Sequence, residues 1–384
     1  MKKILIVYNG YLPGKNYGGP VASIYNFTEY LGKEYCIYII CSNHDLNSCV
    51  AYENIKDGWN TVGAAKVLYL ANKDFQVDNI TEIASGIRPD LFYASSIMSA
   101  KLNIPLINKF KKMNIPILFA PRGELADKAI QIKKWKKIPY LKALCFSGFS
   151  NGVVFQATSE EERICIEKRL KVSPDQIRLI PNFPPKQKLK TRVDKVEGRV
   201  RIIFISRIVP NKNVLYAIKL VKQLESMALF DIYGPIENEE YWEKCKKEMR
   251  FCKENISINY CGQLDVLQAR EIYQNYDCLL MPTEFENYGQ VIAESMLGDC
   301  PVIISKGTTP WDDILDNKAG YTAAIGHDEE FIKALNEISS MNHSDYERLL
   351  ICMRKYIKSK ANIEEIKANY TSIIEEICSS GGIK

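Results

Sequence analysis

At 384 residues the chain is longer than one ordinary hydrophobic core organises and suits two α/β domains of similar size. Its 46% hydrophobic and 25% charged residues exclude disordered, collagen-like and low-complexity classes. The net charge of +5, from 51 basic and 46 acidic residues, is too small and dispersed for a nucleic-acid footprint, so no nucleic acid is expected as a partner.

In chain order, short β-branched and aromatic runs alternate with helical patterns, the signature of parallel α/β architecture. The first strand, 3–8, ends at Tyr8 before Asn9 and Gly10, so its apolar run is too short for a signal peptide. A glycine-rich loop (9–20) follows, then a helix over 20–32 with Ile24, Phe27 and Leu31 on one side and Gly32 at its end. Further strands are expected at 36–41, 67–70, 91–94, 115–120 and 153–157. No run approaches the roughly 20 apolar residues of a membrane span. Twelve cysteines are scattered from Cys36 to Cys378 without a C-x-x-C pair, which fits a reducing, cytoplasmic setting and gives no metal set.

After Asn182 the apolar period breaks. The charged, proline-containing stretch 184–199 reads as a linker. The pattern then restarts with a strand at 201–206, a helix at 213–226, and strands at 229–233, 256–260, 277–281 and 301–305. The segment from Asp345 to Cys378 is helical and amphipathic, and packing is its ordinary role. Two domains are expected, 1–183 and 200–360, with a helix over 361–384 that can pack back on the first. Ligands of such sheets bind beyond the carboxyl ends of the strands.

The strongest chemical signal is M-P-T-E-F-E-N-Y-G-Q-V-I-A-E-S, residues 281–295. A buried strand ends at Pro282, a polar loop follows, and a helix is expected to start near Tyr288 or Gly289. Amides at a helix start carry the positive end of the dipole and suit a diphosphate or sugar hydroxyls. Gly289 admits a ligand close to the backbone. Glu286 and Glu294, about 12 Å apart along a helical path, match the span from hexose to ribose in a nucleotide sugar. Each carboxylate can accept from vicinal hydroxyls. Two acids at this spacing alone are ordinary helix-start residues; the strand–loop–Gly–helix setting raises them above that.

In F-I-S-R-I-V-P-N-K-N, residues 204–213, a strand runs into a loop bearing Arg207 and Lys212. A guanidinium forks onto phosphate oxygens and an ammonium adds a point charge. Pairing of Arg207 with a surface acid and simple solvation of Lys212 are the ordinary alternatives. In the loop 9–20, Gly18 and Gly19 stand directly before the helix, where contact with a donor diphosphate or an acceptor and a plain turn are nearly balanced.

Taken together, the Glu286/Glu294 pair, Arg207 with Lys212, the Gly18–Gly19 loop, P-R-G at 121–123, I-P-N at 180–182 and Y-G-P at 233–235 resemble GT4-family glycosyltransferases (glycosyl transferases group 1). The resemblance spans nearly the whole chain and is most specific in its second half. It implies a GT-B fold, two Rossmann-like domains facing a central cleft, and retaining transfer from a nucleotide-sugar donor with no metal or other cofactor. UDP is the favoured nucleotide, with GDP the alternative.

By position, the resemblance gives Arg207 and Lys212 the diphosphate, Glu286 with the backbone of Asn287, Tyr288, Gly289 and Gln290 the sugar, and Glu294 the ribose. Arg122 falls near the sugar and acceptor. The chain departs from the family at Asp299, where many members have Gly. It also lacks the usual first-domain histidine, since His44, His327 and His343 lie elsewhere, which leaves the acid/base partner open.

The acceptor is expected on the first domain, as a saccharide or polyprenyl-linked saccharide of bacterial surface polysaccharide synthesis. Residues 128–142 hold six lysines and no acid, with Ile132, Trp135 and Ile138 at helical spacing. Such a segment suits peripheral contact with an anionic membrane on the inner face of the cell, or equally a solvated lysine face over a packed tryptophan. A GT-B sugar-nucleotide epimerase and a non-catalytic nucleotide-sugar-binding protein are the competing functions.

Overall fold

The computed structural model describes residues 1–131, 133–186 and 191–380. The chain divides into two compact units, Met1–Phe183 with Ile363–Lys384, and Pro184–Asn362.

The first unit carries strands β1 (Lys3–Val7), β2 (Cys36–Ser42), β3 (Trp59–Val62), β4 (Ala65–Leu70), β5 (Leu91–Ser95), β6 (Ile117–Ala120), β7 (Val153–Ala157) and β8 (Ile177–Leu179). They form one sheet in the order β3-β4-β2-β1-β5-β6-β7-β8, parallel throughout except that β3 runs antiparallel to β4. Its helices are α1 (Gly19–Leu31), α2 (Val77–Ile87), α3 (Ala100–Lys112), α4 (Asp127–Gln131), α5 (Lys134–Phe146) and α6 (Glu160–Leu170). The central strands are buried along their length, as in β5 (LFYAS) and β7 (VVFQA), because helices cover both faces of a parallel sheet.

The second unit carries α7 (Val214–Val221), α8 (Glu239–Met249), α9 (Val266–Ile272), α10 (Gln290–Leu297), α11 (Asp328–Ser340) and α12 (His343–Lys360). Its strands β9 (Arg199–Ile205), β10 (Met227–Tyr233), β11 (Ile256–Tyr260), β12 (Cys278–Met281), β13 (Val302–Ser305) and β14 (Tyr321–Ala323) are all parallel, in the order β11-β10-β9-β12-β13-β14. Numbered within the unit this is 3-2-1-4-5-6, the doubly wound Rossmann order.

The last helix, α13 (Ile363–Ser380), belongs to the first unit. Tyr370 stacks on Phe183 with centroids 4.9 Å apart and lies 5.4 Å edge-on from Phe27. Its hydroxyl accepts from Gln156 Nε2 at 2.6 Å. The helical segment from Asp345 to Cys378 consists of two helices, α12 and α13, which belong to different units.

Three further expectations are corrected. Residues 128–142 do not form one helix: Lys133 takes a left-handed backbone (φ 59°) and separates α4 from α5. Ile132 of that stretch lies outside the described residues. Ile138 packs on the first unit's core while Trp135 is 74% exposed, so the tryptophan is not packed beneath the lysines. The linker 184–199 is not free along its length. Lys195 is buried and donates to the carbonyls of Val196, Arg199 and Ser339, whereas residues 187–190 lie outside the described chain. The helix after β9 stops at Val221, short of Ser226.

Asp299 follows α10 with a left-handed backbone (φ 58°), a conformation that favours glycine and that aspartate tolerates better than most residues. Its carboxylate receives both guanidinium donors of Arg354 at 2.7 and 2.9 Å, an anchor that glycine would lack. Among the described residues, no helix is long and apolar enough to cross a membrane.

The second unit also buries a charge. Asp277, 1% exposed at the foot of β12, accepts from the Arg201 amide at 2.8 Å and from its guanidinium at 2.7 and 3.1 Å. Removing one partner of such a pair strands the other charge in the core. Asp277→Ala is expected to lower the unit's unfolding free energy by about 3–5 kcal/mol, read as a shift in the urea midpoint.

Candidate active site

In the second unit the chain leaves β9 toward β10 on one side and reaches β12 on the other. The crevice beyond the carboxyl ends of β9 and β12 is the switch point at which open α/β sheets take their ligands. Two loops meet there. The loop after β9 carries Arg207 and turns through a 3-10 segment, Pro210–Lys212, into Asn213. The loop after β12 runs through residues 282–289.

These loops are tied directly. Asn213 Nδ2 donates to the Pro282 carbonyl at 2.9 Å, and the Glu284 amide donates to the Asn211 carbonyl at 2.9 Å. The tie brings Lys212 Nζ into an ion pair with Glu286 Oε1, the two side chains only 10% and 15% exposed. The Glu286 amide donates to Thr308 O at 2.8 Å, which clamps this loop to the one after β13.

α10 starts at Gln290, slightly later than the sequence pattern indicates, because Gly289 takes φ 72° outside helical geometry. A Cβ at Gly289 would come within 2.8 Å of Ile292 Cδ1 and 3.2 Å of Trp311 Nε1, so crowding adds to the conformational preference for glycine. Tyr288 precedes it with its carbonyl held by Trp311 Nε1, the rings packed edge to face at 5.5 Å. Gly289 offers no side chain to cap α10, whose amino end carries the positive end of the helix dipole.

Glu294 lies in the second turn of α10 and is buried. Its Oε2 accepts from the Tyr273 hydroxyl at 3.2 Å. Burial pushes its carboxyl up to about 7, against the opposing pull of the Tyr273 hydrogen bond and the Arg270 charge. Arg207 stands apart from the Lys212–Glu286 pair: half exposed, its guanidinium donates to Glu237 at 3.0 Å. That is the ordinary surface pairing.

The first unit repeats the layout at its own switch point, between β1 and β5. Gly18 (φ 62°) caps α1 and Gly19 is its first residue; a Cβ at either would meet no atom within 4 Å. Arg122, in the loop after β6, has a left-handed backbone (φ 54°). Its guanidinium donates to Ser95 Oγ at 3.1 Å, Asn182 Oδ1 at 3.0 Å and the Tyr93 hydroxyl at 3.2 Å. All three acceptors are neutral, and among the described residues no carboxylate pairs with Arg122. The neighbouring Gly123 amide is held by buried Glu162 at 2.6 Å, which also binds the Thr158 amide and hydroxyl.

Residue patterns did not single out Tyr93, Ser95, Thr308 or Tyr273. Ser95 carried a readable signal, a polar residue closing an otherwise apolar strand at the edge where ligands bind. Tyr273 lies in a helical stretch, where an aromatic residue reads simply as core.

Two doubly wound units in one chain are the components of the GT-B fold. Residues 185–356, within the second unit, match the family "Glycosyl transferases group 1". Sucrose-phosphate synthase of Thermosynechococcus elongatus superposes with a TM-score of 0.74 at 13% identity, covering 99% of this chain and 100% of the other. Anabaena HepE in complex with UDP and glucose gives a TM-score of 0.70 at 12% identity, covering 98% and 100%. A 41.2 kDa protein of the cps region of Klebsiella pneumoniae is 22% identical over 291 residues, 73% of this chain and 76% of that one.

The raised Glu294 carboxyl sets a pH dependence. The folded state holds this proton up to about pH 7, whereas the ordinary value is 4.5, so the proton favours the fold at low pH and that stability is lost as pH rises through the interval. Relative to Glu294→Gln, the wild type is expected to lose on the order of 1–3 kcal/mol between pH 5 and 7.5. Urea unfolding of both proteins across that range checks this.

Proposed function

We propose that the chain transfers a hexose from a UDP-sugar, with retention at the anomeric carbon, to a saccharide or lipid-linked saccharide in bacterial surface polysaccharide synthesis. The observation that carries this reading is the largely buried Lys212–Glu286 pair beside Gly289 and the amino end of α10. A buried ion pair is a weak source of stability because desolvation offsets its attraction. A ligand that gives each charge its own partner resolves that tension: phosphate oxygens for Lys212, sugar hydroxyls for Glu286.

The roles follow from charge. As the bond from the anomeric carbon to the diphosphate breaks, negative charge grows on the leaving oxygen. Lys212, the amides of Gly289 and Gln290, and Arg207 swung from Glu237 stabilise it electrostatically, with no metal required. The acceptor oxygen forms the new bond on the same face, and the departing phosphate takes its proton. Glu286 therefore orients the sugar through its hydroxyls and is not a nucleophile. Glu294 holds the ribose hydroxyls from inside α10.

UDP and glucose in the Anabaena relative support the nucleotide, and the cps-region relative supports the polysaccharide setting. Glu286→Gln is expected to cut turnover about 100-fold, roughly 2.7 kcal/mol of transition-state stabilisation, with melting temperature and UDP affinity intact. Near-normal turnover in that variant removes Glu286 from the mechanism. Release of free sugar from the donor in the absence of acceptor separates a catalyst from a non-catalytic binder.

For the acceptor, Arg122 presents a cation held only by neutral groups, suited to the diphosphate of a polyprenyl carrier. α5 adds a surface for the carrier's membrane. Trp135, Pro139, Ala143 and Phe146 recur at helical spacing on its exposed side, with Trp135 74% and Phe146 87% exposed. Lys134, Lys136 and Lys142 flank them, and Lys136 Nζ lies 4.6 Å from the Trp135 ring centroid. An apolar stripe edged by lysines fits an anionic bilayer surface on the cytoplasmic side. Co-sedimentation with vesicles is expected to rise with phosphatidylglycerol content and to collapse in Lys134→Glu/Lys136→Glu/Lys142→Glu. Insensitivity to both removes the membrane contact.

A further inference from the structure

A cavity of about 460 Å³ lies in the first unit, lined by Lys3, Tyr38, Trp59, Thr61, Lys66 and Gly86 among others. It sits near the amino ends of β1, β2 and β4, the opposite edge of the sheet from the Gly18 and Arg122 loops. Pairing aligns Tyr38 with Lys66, and Lys66 with Thr61, so these three side chains form a row on one sheet face. Trp59, two residues from Thr61 on the edge strand β3, shares that face.

Its chemistry is mixed in a specific way. Trp59, 40% exposed, packs edge to face on Tyr38 with centroids 5.2 Å apart, giving two aromatic walls at 80°. Lys66 Nζ lies 5.4 Å from the Tyr38 ring centroid, and among the described residues no carboxylate pairs with it. Lys3 Nζ is already committed to the Ile87 carbonyl at 2.8 Å, which leaves Lys66 as the cation turned to a ligand.

Gly86 supplies an independent observation. It lies inside α2, one residue before the helix ends, where glycine is less favourable than alanine. Its φ is not in the left-handed region, and a Cβ there would meet no atom within 4 Å. Nothing in the chain's own packing requires glycine at this position. What a larger side chain would take is room in the cavity.

We propose that this cavity is a second saccharide site, distinct from the donor site, that holds an acidic sugar of the acceptor or product chain. Apolar C–H faces of the sugar lie against Trp59 and Tyr38, the Thr61 hydroxyl meets a ring hydroxyl, and Lys66 receives the uronate carboxylate. Its volume falls within the range of small-molecule sites. The site depends on saccharide chemistry being the enzyme's business, but not on the identity of its donor.

The test uses the full-length protein and hyaluronan tetrasaccharide as probe, with maltotetraose as its neutral counterpart, followed by calorimetry. Saturable binding of hyaluronan tetrasaccharide is expected, at least about tenfold tighter than maltotetraose. Gly86→Leu, which fills the cavity, and Lys66→Glu, which reverses its charge, are each expected to weaken it by about tenfold or more. Both variants should keep wild-type UDP affinity and donor hydrolysis, which reads the donor site separately. Gly86→Ala should fold with an unchanged or higher melting temperature. Absence of binding to the wild type, or binding that survives Gly86→Leu and Lys66→Glu, overturns the site. Equal affinity for maltotetraose overturns its preference for acidic sugars.

Discussion

A parallel strand can join its neighbour only through a crossover, so every connection in a doubly wound sheet leaves from one edge and re-enters at the other. That constraint governs the whole of the second unit and all of the first except the connections into and out of the antiparallel strand β3. It collects the loops after β9, β12 and β13 at one edge of the second sheet, and those after β1, β5 and β6 at one edge of the first. Residues distant in sequence, such as Lys212 and Glu286, meet because their strands are adjacent and reverse winding direction between them. The hydrophobic runs that look featureless along the chain are what make this convergence obligatory.

The same frame decides which charges stabilise and which are held for use. Asp277 and Arg201 satisfy each other at the amino edge of β12, and the Val193 and Asp194 carbonyls also accept from the guanidinium. Their role is to close the fold. Lys212 with Glu286, and Arg122 with its three neutral acceptors, lie instead at the carboxyl edges, where the proposed function has ligands bind. Glu294 shows the cost of that arrangement, since its carboxyl is buried deeply enough to retain a proton near neutrality.

Much of this was legible in the sequence because strand residues must be continuously apolar when both faces are covered. The runs at β1, β5, β7, β9, β12 and β13 read directly, as did the glycine before α10. The loss of apolar period after Asn182 lies where the two units divide. Short or half-exposed strands gave no such signal: β3, β8 and β14 hold only four, three and three residues. Nor was the break at Lys133 visible, because a left-handed lysine has no compositional mark. Partnerships across the fold were hidden for a different reason. Tyr273 beneath Glu294, and Tyr93 and Ser95 beneath Arg122, depend on which strands become neighbours, and that is a property of topology and not of spacing.

The placement of α13 bears on how the protein comes into being. Phe27 and Phe183 are made early, yet the aromatic ring that covers them, Tyr370, belongs to the last helix. Synthesis proceeds at about 5–20 residues per second, so this aromatic surface stays uncovered for on the order of ten seconds or more while the entire second unit is translated. The first unit cannot close as a finished body during that time. The first unit is therefore completed by a segment made after the whole of the second.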